Sequence, residues 1–128
     1  MSTSVTKIGI WMDYSIAHLM EYSNSPFEVE TIESNFTQKE KVNYLLKGEE
    51  FLQNKEKEKQ SNYYKKLMAI VKKYQEVILF GPTNAKEELF NALAADSSFW
   101  HIKVRVTQTD KMSAQQQHEF IREFFANN

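Results

Sequence analysis

The chain has no cysteine. This absence excludes disulfide bonds, thiolate metal sites and cysteine nucleophiles. Glycine and proline are also scarce, with three and two copies in 128 residues. Neither the G-x-x-x-x-G-K-[ST] nor the G-x-G-x-x-G spacing of phosphate-binding loops occurs. The sequence therefore excludes the common glycine-rich nucleotide-binding motifs.

Long apolar runs and a strong net charge are missing too. No stretch approaches the roughly 20 apolar residues of a membrane span, and the polar N-terminus lacks the order of a signal peptide. We therefore expect a cytoplasmic protein without a membrane partner. The net charge of −1 gives no general attraction to nucleic acid. Residues 37–66, however, carry eight lysines against five glutamates, so the middle of the chain is locally basic.

What is present indicates one globular domain over residues 1–128, because 41% hydrophobic residues can form a core and 26% charged residues can cover it. Three early strands are predicted at 7–12, 16–22 and 27–32 from apolar and β-branched residues separated by turn formers. The first alternates so that both of its faces can be apolar, which is typical of a central strand. Short connections between the three predict an antiparallel meander.

The second half alternates helices and strands. Segment 37–60 is lysine-rich with a weak pattern, so we expect a mobile loop followed by the charged start of a helix. Apolar residues at helical spacing continue that helix to Tyr74. Residues 77–80 form a short, wholly apolar strand, and 101–107 alternate like a strand with one wet face.

Two further helices have start signals. Asn84 with Glu87, and Ser113 with Gln116, are each spaced like a capping box. The element order is then β-β-β-α-β-α-β-α. Right-handed crossovers and the pairing of neighbouring strands favour a mixed five-stranded sheet of order 3-2-1-4-5 with helices on both faces. This is the ribonuclease H-like, three-layer α/β/α architecture.

Such a fold suggests a two-metal nuclease, which needs three or four converging carboxylates. Asp13 ends the first strand, but the fourth strand ends without an acid, and Glu56 and Glu58 lie in a solvated segment. The three histidines lack a metal-ligand spacing, and no G-x-S-x-G motif is present. We therefore expect neither a metal nor a cofactor, and we assign no catalytic residue. The sequence favours a protein that is not an enzyme.

Lysines interleaved with Tyr63 and Tyr64 form the first candidate site. Lysines give salt-dependent phosphate contacts, and tyrosines can stack on bases. The alternative is a solvated helix face, since glutamates cancel part of the charge. The candidate RNA or ribosome contacts are Lys47, Lys55, Lys57, Lys59, Lys65 and Lys66.

A second candidate site lies where the first and fourth strands end. A loop between a buried strand and a helix has free backbone N–H groups that can hold an anion. The alternative is an ordinary strand-to-helix turn. The candidate ligand-site residues are Asp13, Gly81, Thr83, Asn84 and Lys86.

Two aromatic pairs leave a homo-oligomer open. Tyr63-Tyr64 and Phe99-Trp100 can form an apolar contact with a second copy, and packing within the core accounts for them equally well.

Several of these segments together resemble a known family. They are Ile8 to Asp13, the long charged helix ending in Tyr-Tyr-Lys-Lys-Leu at 63–67, and above all Val-Ile-Leu-Phe-Gly-Pro-Thr-Asn-Ala-Lys-Glu-Glu-Leu at 77–89. The chain resembles the middle domain of eukaryotic and archaeal peptide-chain release factors and of the ribosome-rescue factor Pelota, and also their bacterial relatives. This resemblance implies a ribonuclease H-like fold and the ribosome or RNA as partner.

Release factors of this family carry a Gly-Gly-Gln loop just before the long helix, which promotes hydrolysis of peptidyl-tRNA. The corresponding stretch here is Leu-Lys-Gly-Glu-Glu-Phe at 46–51, with one glycine and no glutamine. Its acids would be repelled by RNA phosphates. The sequence therefore predicts a non-catalytic, translation-factor-like domain. The alternative is a small-ligand or protein-interaction module that uses the strand-end site.

Overall fold

The computed structural model of the chain describes residues 6–23, 26–34 and 38–127. Its strands are β1 (Lys7–Met12), β2 (Ile16–Glu21), β3 (Phe27–Glu33), β4 (Glu76–Gly81) and β5 (Lys103–Gln108). Its helices are α1 (Gln38–Leu45), α2 (Glu49–Val71), α3 (Ala85–Ala94) and α4 (Ala114–Ala126), with a short 3₁₀ turn at Ser97–Phe99.

The strands form one sheet of order β3-β2-β1-β4-β5, which confirms the predicted order. β1 is antiparallel to β2 and parallel to β4. β2 and β3 are antiparallel, with an irregularity between Leu19 and Met20, and β4 and β5 are parallel. The apolar strands β1 and β4 are therefore central, and the wetter β3 and β5 lie at the edges.

Each face of the sheet has its own core. On one face, Ile8, Ile10 and Met12 of β1 pack with the buried side of α2, represented by Leu67, and of α3, represented by Leu89. On the other face, a second core joins β1, β2 and β4 to α4; its buried residues are Trp11, Met20, Ile78, Phe80, Ile121 and Phe125. The three layers follow from β1 being apolar on both sides.

Gly9 explains how closely α4 approaches the sheet. A Cβ atom placed on Gly9 would lie 2.3 Å from Cγ1 of Ile121. A glycine in the middle of a strand is typical of such a close approach. The absent side chain is thus what lets α4 sit directly on β1.

Segment 37–60, where we expected a mobile loop and a charged helix start, contains α1 and the first part of α2. Residues 38–45 form α1, and α2 is helical from Glu49 onward. The ring of Tyr44 lies 5.6 Å from that of Phe51, so α1 folds back against α2. Tertiary packing of this kind stabilises a helix whose own apolar pattern is weak.

One predicted helix cap is wrong and the other is confirmed. Ser113 accepts a hydrogen bond from the N–H of Gln116, and the Gln116 side chain accepts one from the N–H of Ser113, which completes a capping box. Asn84 precedes α3 but makes no side-chain cap bond. Instead the N–H of Ala85 donates to Oγ1 of Thr83 at 3.2 Å.

Candidate functional site

Two of the six candidate lysines are engaged at the hairpin between α1 and α2. Nζ of Lys47 lies 5.1 Å from the centre of the Phe51 ring. Nζ of Lys55 lies 5.7 Å from the same ring and 3.3 Å from a carboxylate oxygen of Glu58. The ammonium groups of Lys47 and Lys55 therefore already make cation–π or ion-pair contacts within the chain.

Three of the lysines line an open groove between α2 and the edge strand β3. Lys59, Lys65 and Lys66 border this groove of about 440 Å³ together with Asn62 and Glu33. The glutamate offsets part of the local positive charge. The groove is therefore mixed in charge, with a lysine excess on the α2 side.

The remaining lysine faces the other flank of α2. Lys57 and Lys65 border a shallow groove beside α3, with Tyr64, Met68 and Ala92 between them. The candidate lysines thus surround α2 and do not form one patch.

Three of the six lysines are exposed and make neither an ion pair nor a cation–π contact with any residue that the structure describes. These are Lys57, Lys65 and Lys66. Their ammonium groups are therefore available to an external anion.

Tyr63, the first of the two tyrosines beside these lysines, lies in the core. Tyr63 is 1% exposed, and its hydroxyl donates to the carbonyl oxygen of Asp13 at 2.9 Å. Burial, and secondarily the charge of Asp13, raises the pKa of Tyr63. A base cannot stack on a ring in this position, so the structure agrees with the core packing that the sequence offered as the alternative for Tyr63.

A hydrogen-bonded cluster joins three elements at the same end of the sheet. Glu88 of α3 accepts hydrogen bonds from the hydroxyls of Tyr64 at 2.8 Å and Tyr14 at 3.0 Å. Burial, and secondarily the bond to Glu88, raises the pKa of Tyr64. This cluster could not be predicted from the sequence, because its members are 24 to 74 positions apart and share no motif.

The strand-end residues make their contacts within the chain. Oδ1 of Asp13 accepts hydrogen bonds from the N–H groups of Ser15 at 2.7 Å and Ile16 at 2.9 Å. Gly81 has a φ of +145°, and a Cβ atom there would lie 2.2 Å from the carbonyl oxygen of Met12. The ends of β1 and β4 are therefore in direct contact.

Lys86 is fully buried beneath this turn. Its ammonium group donates to the carbonyl oxygen of Thr83 and to Oε1 of Gln108, and lies 3.6 Å from a carboxylate oxygen of Glu87. Asn84 is exposed at the start of α3. These are the contacts of an ordinary strand-to-helix turn in which the lysine positions the loop.

Among the residues that the structure describes, no group of three histidine, aspartate or glutamate side chains could hold a metal ion. In the same part of the chain, no helix is long and apolar enough to cross a bilayer.

The aromatic pairs considered for self-association are mostly internal. Tyr63 and Phe99 are 1% and 5% exposed and belong to the core that α2 and α3 cover. Trp100 is 70% exposed, and its indole N–H donates to the carbonyl oxygen of Ala94. Core packing thus accounts for one member of each pair.

Comparison with known proteins gives no match to a family model and none to a curated protein. Solved structures do match. Archaeoglobus fulgidus Pelota is 10% identical with a TM-score of 0.63, and the match covers 94% of this chain and 31% of that one. The fold is that of a Pelota-like domain.

Two other structures agree with this result. Thermoplasma acidophilum Pelota is 16% identical with a TM-score of 0.60, covering 91% of this chain and 32% of that one. Saccharomyces cerevisiae Dom34, a translation termination-like factor, is 18% identical with a TM-score of 0.59, covering 94% and 33%. This chain spans about a third of the length of these Pelota-like proteins.

Proposed function

We propose that the chain is a non-catalytic, translation-factor-like domain that contacts the ribosome, through its RNA, with the exposed lysines of α2. The observation that carries the proposal is the Pelota-like fold over more than nine-tenths of the chain. Dom34 is described as a translation termination-like factor involved in RNA quality control pathways. The same kind of partner is the natural candidate here.

The free charges on α2 support an RNA contact. Lys57, Lys65 and Lys66 are exposed and unpaired within the described chain. Lysines that neutralise phosphates release counterions, so each contact makes binding weaker as salt increases. With a net charge of −1, binding depends on this local surface rather than on the whole molecule.

The tip between α1 and α2 supports the non-catalytic part of the proposal. Gly48 precedes α2 with a φ of +115°, and Glu49 and Glu50 occupy the first helical turn. Leu46 is 83% exposed at the same tip. Residues 46–51 at this tip carry one lysine and two glutamates, and they include no amide side chain that could orient a water molecule beside an ester.

Co-sedimentation with purified ribosomes over a range of salt concentrations tests the proposal. We expect the chain to pellet with ribosomes at low salt and to be released as salt increases. The double variant Lys65→Glu/Lys66→Glu should reduce the affinity at least about tenfold, because it removes two phosphate contacts and adds two repulsive charges.

A matched control lies at the C-terminal end of α2. Lys72→Glu/Lys73→Glu makes the same change in charge at the next exposed lysine pair, just after α2 ends. It should bind nearly as well as the unmodified chain. Equal loss of binding in both variants would indicate a nonspecific charge effect, and equal retention would reject the α2 surface.

A further inference from the structure

A groove lies on the opposite face of the sheet from the α2 lysines, at the N-terminal end of α4. Its volume is about 480 Å³. β1, β2 and the segment before α4 form its walls. The residues that line it are Trp11, Asp13, Ile16, His18, Lys111, Met112, Ser113 and Gln117.

The first unusual feature of this groove is an unused hydrogen-bond donor. Trp11 is 4% exposed, and its indole N–H is buried without a partner in the described chain. Native proteins rarely leave a buried donor unpaired, because the lost hydrogen bonds to water are not replaced. A ligand acceptor that reached this group would restore the missing bond.

The second feature is an unused acceptor lining the same groove. Gln117 of α4 is also 4% exposed, and its Nε2 donates to the carbonyl oxygen of Met112 at 3.1 Å. That bond fixes the amide, and the side-chain oxygen accepts no hydrogen bond from the described residues. The groove thus has one buried donor without a partner and one acceptor that the described residues leave unpaired.

The rim of the groove offers one unpaired cation to an anion. Lys111 is exposed and makes no ion pair with the residues that the structure describes. It precedes α4, whose N-terminus carries partial positive charge. The one acid of the rim, Asp13, has Oδ1 committed to its own turn. The His18 ring, 5.7 Å from the Trp11 ring and tilted by 35°, adds a flat wall.

We propose that this groove binds a single nucleotide. The base edge, which carries acceptors and donors side by side, pairs with the Trp11 N–H and the Gln117 amide oxygen, and the imidazole of His18 stacks on the base. The phosphate lies against Lys111 and the N-terminus of α4. Binding requires a small shift of the groove side chains, because the Trp11 N–H is covered in this structure.

The proposal is independent of the α2 surface, and Trp11 itself reports on it. Trp11 and Trp100 are the two tryptophans of the chain. In a Trp100→Phe background, we would titrate the chain with AMP, GMP, CMP and UMP separately and follow the Trp11 indole ¹H–¹⁵N resonance and fluorescence. At least one nucleotide should produce a saturable change in both signals.

Variants assign the contacts. Gln117→Leu removes the acceptor with little change in volume and should weaken binding about tenfold or more. Lys111→Gln, at an exposed position, should weaken nucleotide binding about three- to tenfold. This variant tests the site even if Gln117→Leu fails to fold. Lys73→Gln, on an exposed lysine outside the groove, should leave the affinity unchanged.

Two ligand sources share this chemistry, a free nucleotide and an unstacked nucleotide of RNA. The two sources are distinguished by comparing the affinity for the mononucleotide that binds most tightly with the affinity for a tetranucleotide of the same base. Tighter binding of either one supports the site. The absence of a saturable change with all four mononucleotides and their tetranucleotides would overturn the proposal. So would an equal response to ribose 5-phosphate, or unchanged affinity in Lys111→Gln.

Discussion

Gly81 of β4 lies directly against Met12 of β1. Its φ of +145° is strained for any L side chain, and an added Cβ would lie 2.2 Å from the carbonyl oxygen of Met12. We expect Gly81→Ala to lower the free energy of unfolding by about 3 kcal/mol or more, because β1 and β4 must separate to accept the methyl group. Urea denaturation measures this change.

Gly48 provides the control for that prediction. It also has a positive φ, +115°, but nothing lies within 4 Å of an added Cβ. Gly48→Ala should cost only the backbone strain, about 1–2 kcal/mol. If both alanine variants lost the same stability, the close approach at Gly81 would have no energetic role.

Lys86 is a lysine whose role the sequence could not reveal. The residues 81–86 predict a strand-to-helix turn with a nearby cation, but not whether that cation points outward to an anion or inward. The structure buries it completely and gives it the carbonyl oxygen of Thr83 and Oε1 of Gln108. A buried acceptor needs a donor, and Lys86 supplies it.

Replacing this lysine tests its internal role. Lys86→Met keeps most of the apolar stem but leaves two acceptors without their donor, so it should lower the free energy of unfolding by about 2 kcal/mol. Lys73→Met, at an exposed lysine, should change it by less than about 0.5 kcal/mol. Thermal or urea unfolding of the two variants checks the difference, and equal values would contradict the internal role.

At the scale of elements, α3 and α4 begin with similar cap sequences, but only α4 forms the side-chain capping hydrogen bond. Ser113→Ala removes the hydrogen bond to the N–H of Gln116 and should destabilise the protein by about 1 kcal/mol. Asn84→Ala removes no cap bond, since Asn84 makes none, and should be nearly neutral. Urea midpoints of the two variants give the comparison. A larger loss for Asn84→Ala would show that the cap assignment at α3 is wrong.

The strands were more predictable than the helices for a physical reason. β1 and β4 are apolar on both faces, and β5 alternates, so their burial could be deduced from residue type alone. α1 could not, because Tyr44 stabilises it by packing on Phe51 of α2, a partner that the local pattern does not specify. The same holds for the contacts of Glu88.

At the scale of the whole molecule, buried tyrosine hydroxyls predict an alkaline limit of stability. Burial, and secondarily the bond to Glu21, raises the pKa of Tyr74 to about 12. In the unfolded chain a tyrosine ionises near pH 10. The contribution is therefore complete below about pH 10 and is lost as pH rises toward about 12, because the unfolded state releases its proton first.

Urea unfolding at a series of pH values through that window measures the effect. Tyr74→Phe should show a shallower decline, and Tyr63 and Tyr64, whose pKa values are also raised, should account for part of the remaining slope. Stability independent of pH between about 10 and 12 would contradict the assigned burial of these hydroxyls.

The overall topology could be predicted from the sequence, but the functional surface only in part. Strand order follows from connection lengths and handedness, which are general rules. Whether each of the six lysines is available to an external partner depends on the direction of its side chain. Lys55 contacts Glu58 and aromatic rings, whereas Lys65 and Lys66 remain exposed. Position along a charged helix does not distinguish these cases.

The most direct test of the ribosome contact is site-specific cross-linking, which the absence of cysteine makes simple. Ser61→Cys places a photoreactive label among the α2 lysines, and Glu119→Cys places it on α4, on the opposite face. We predict that the label at position 61 cross-links to ribosomal RNA and the label at 119 does not. Equal cross-linking from both positions, or cross-linking from 119 alone, would contradict an α2-mediated contact.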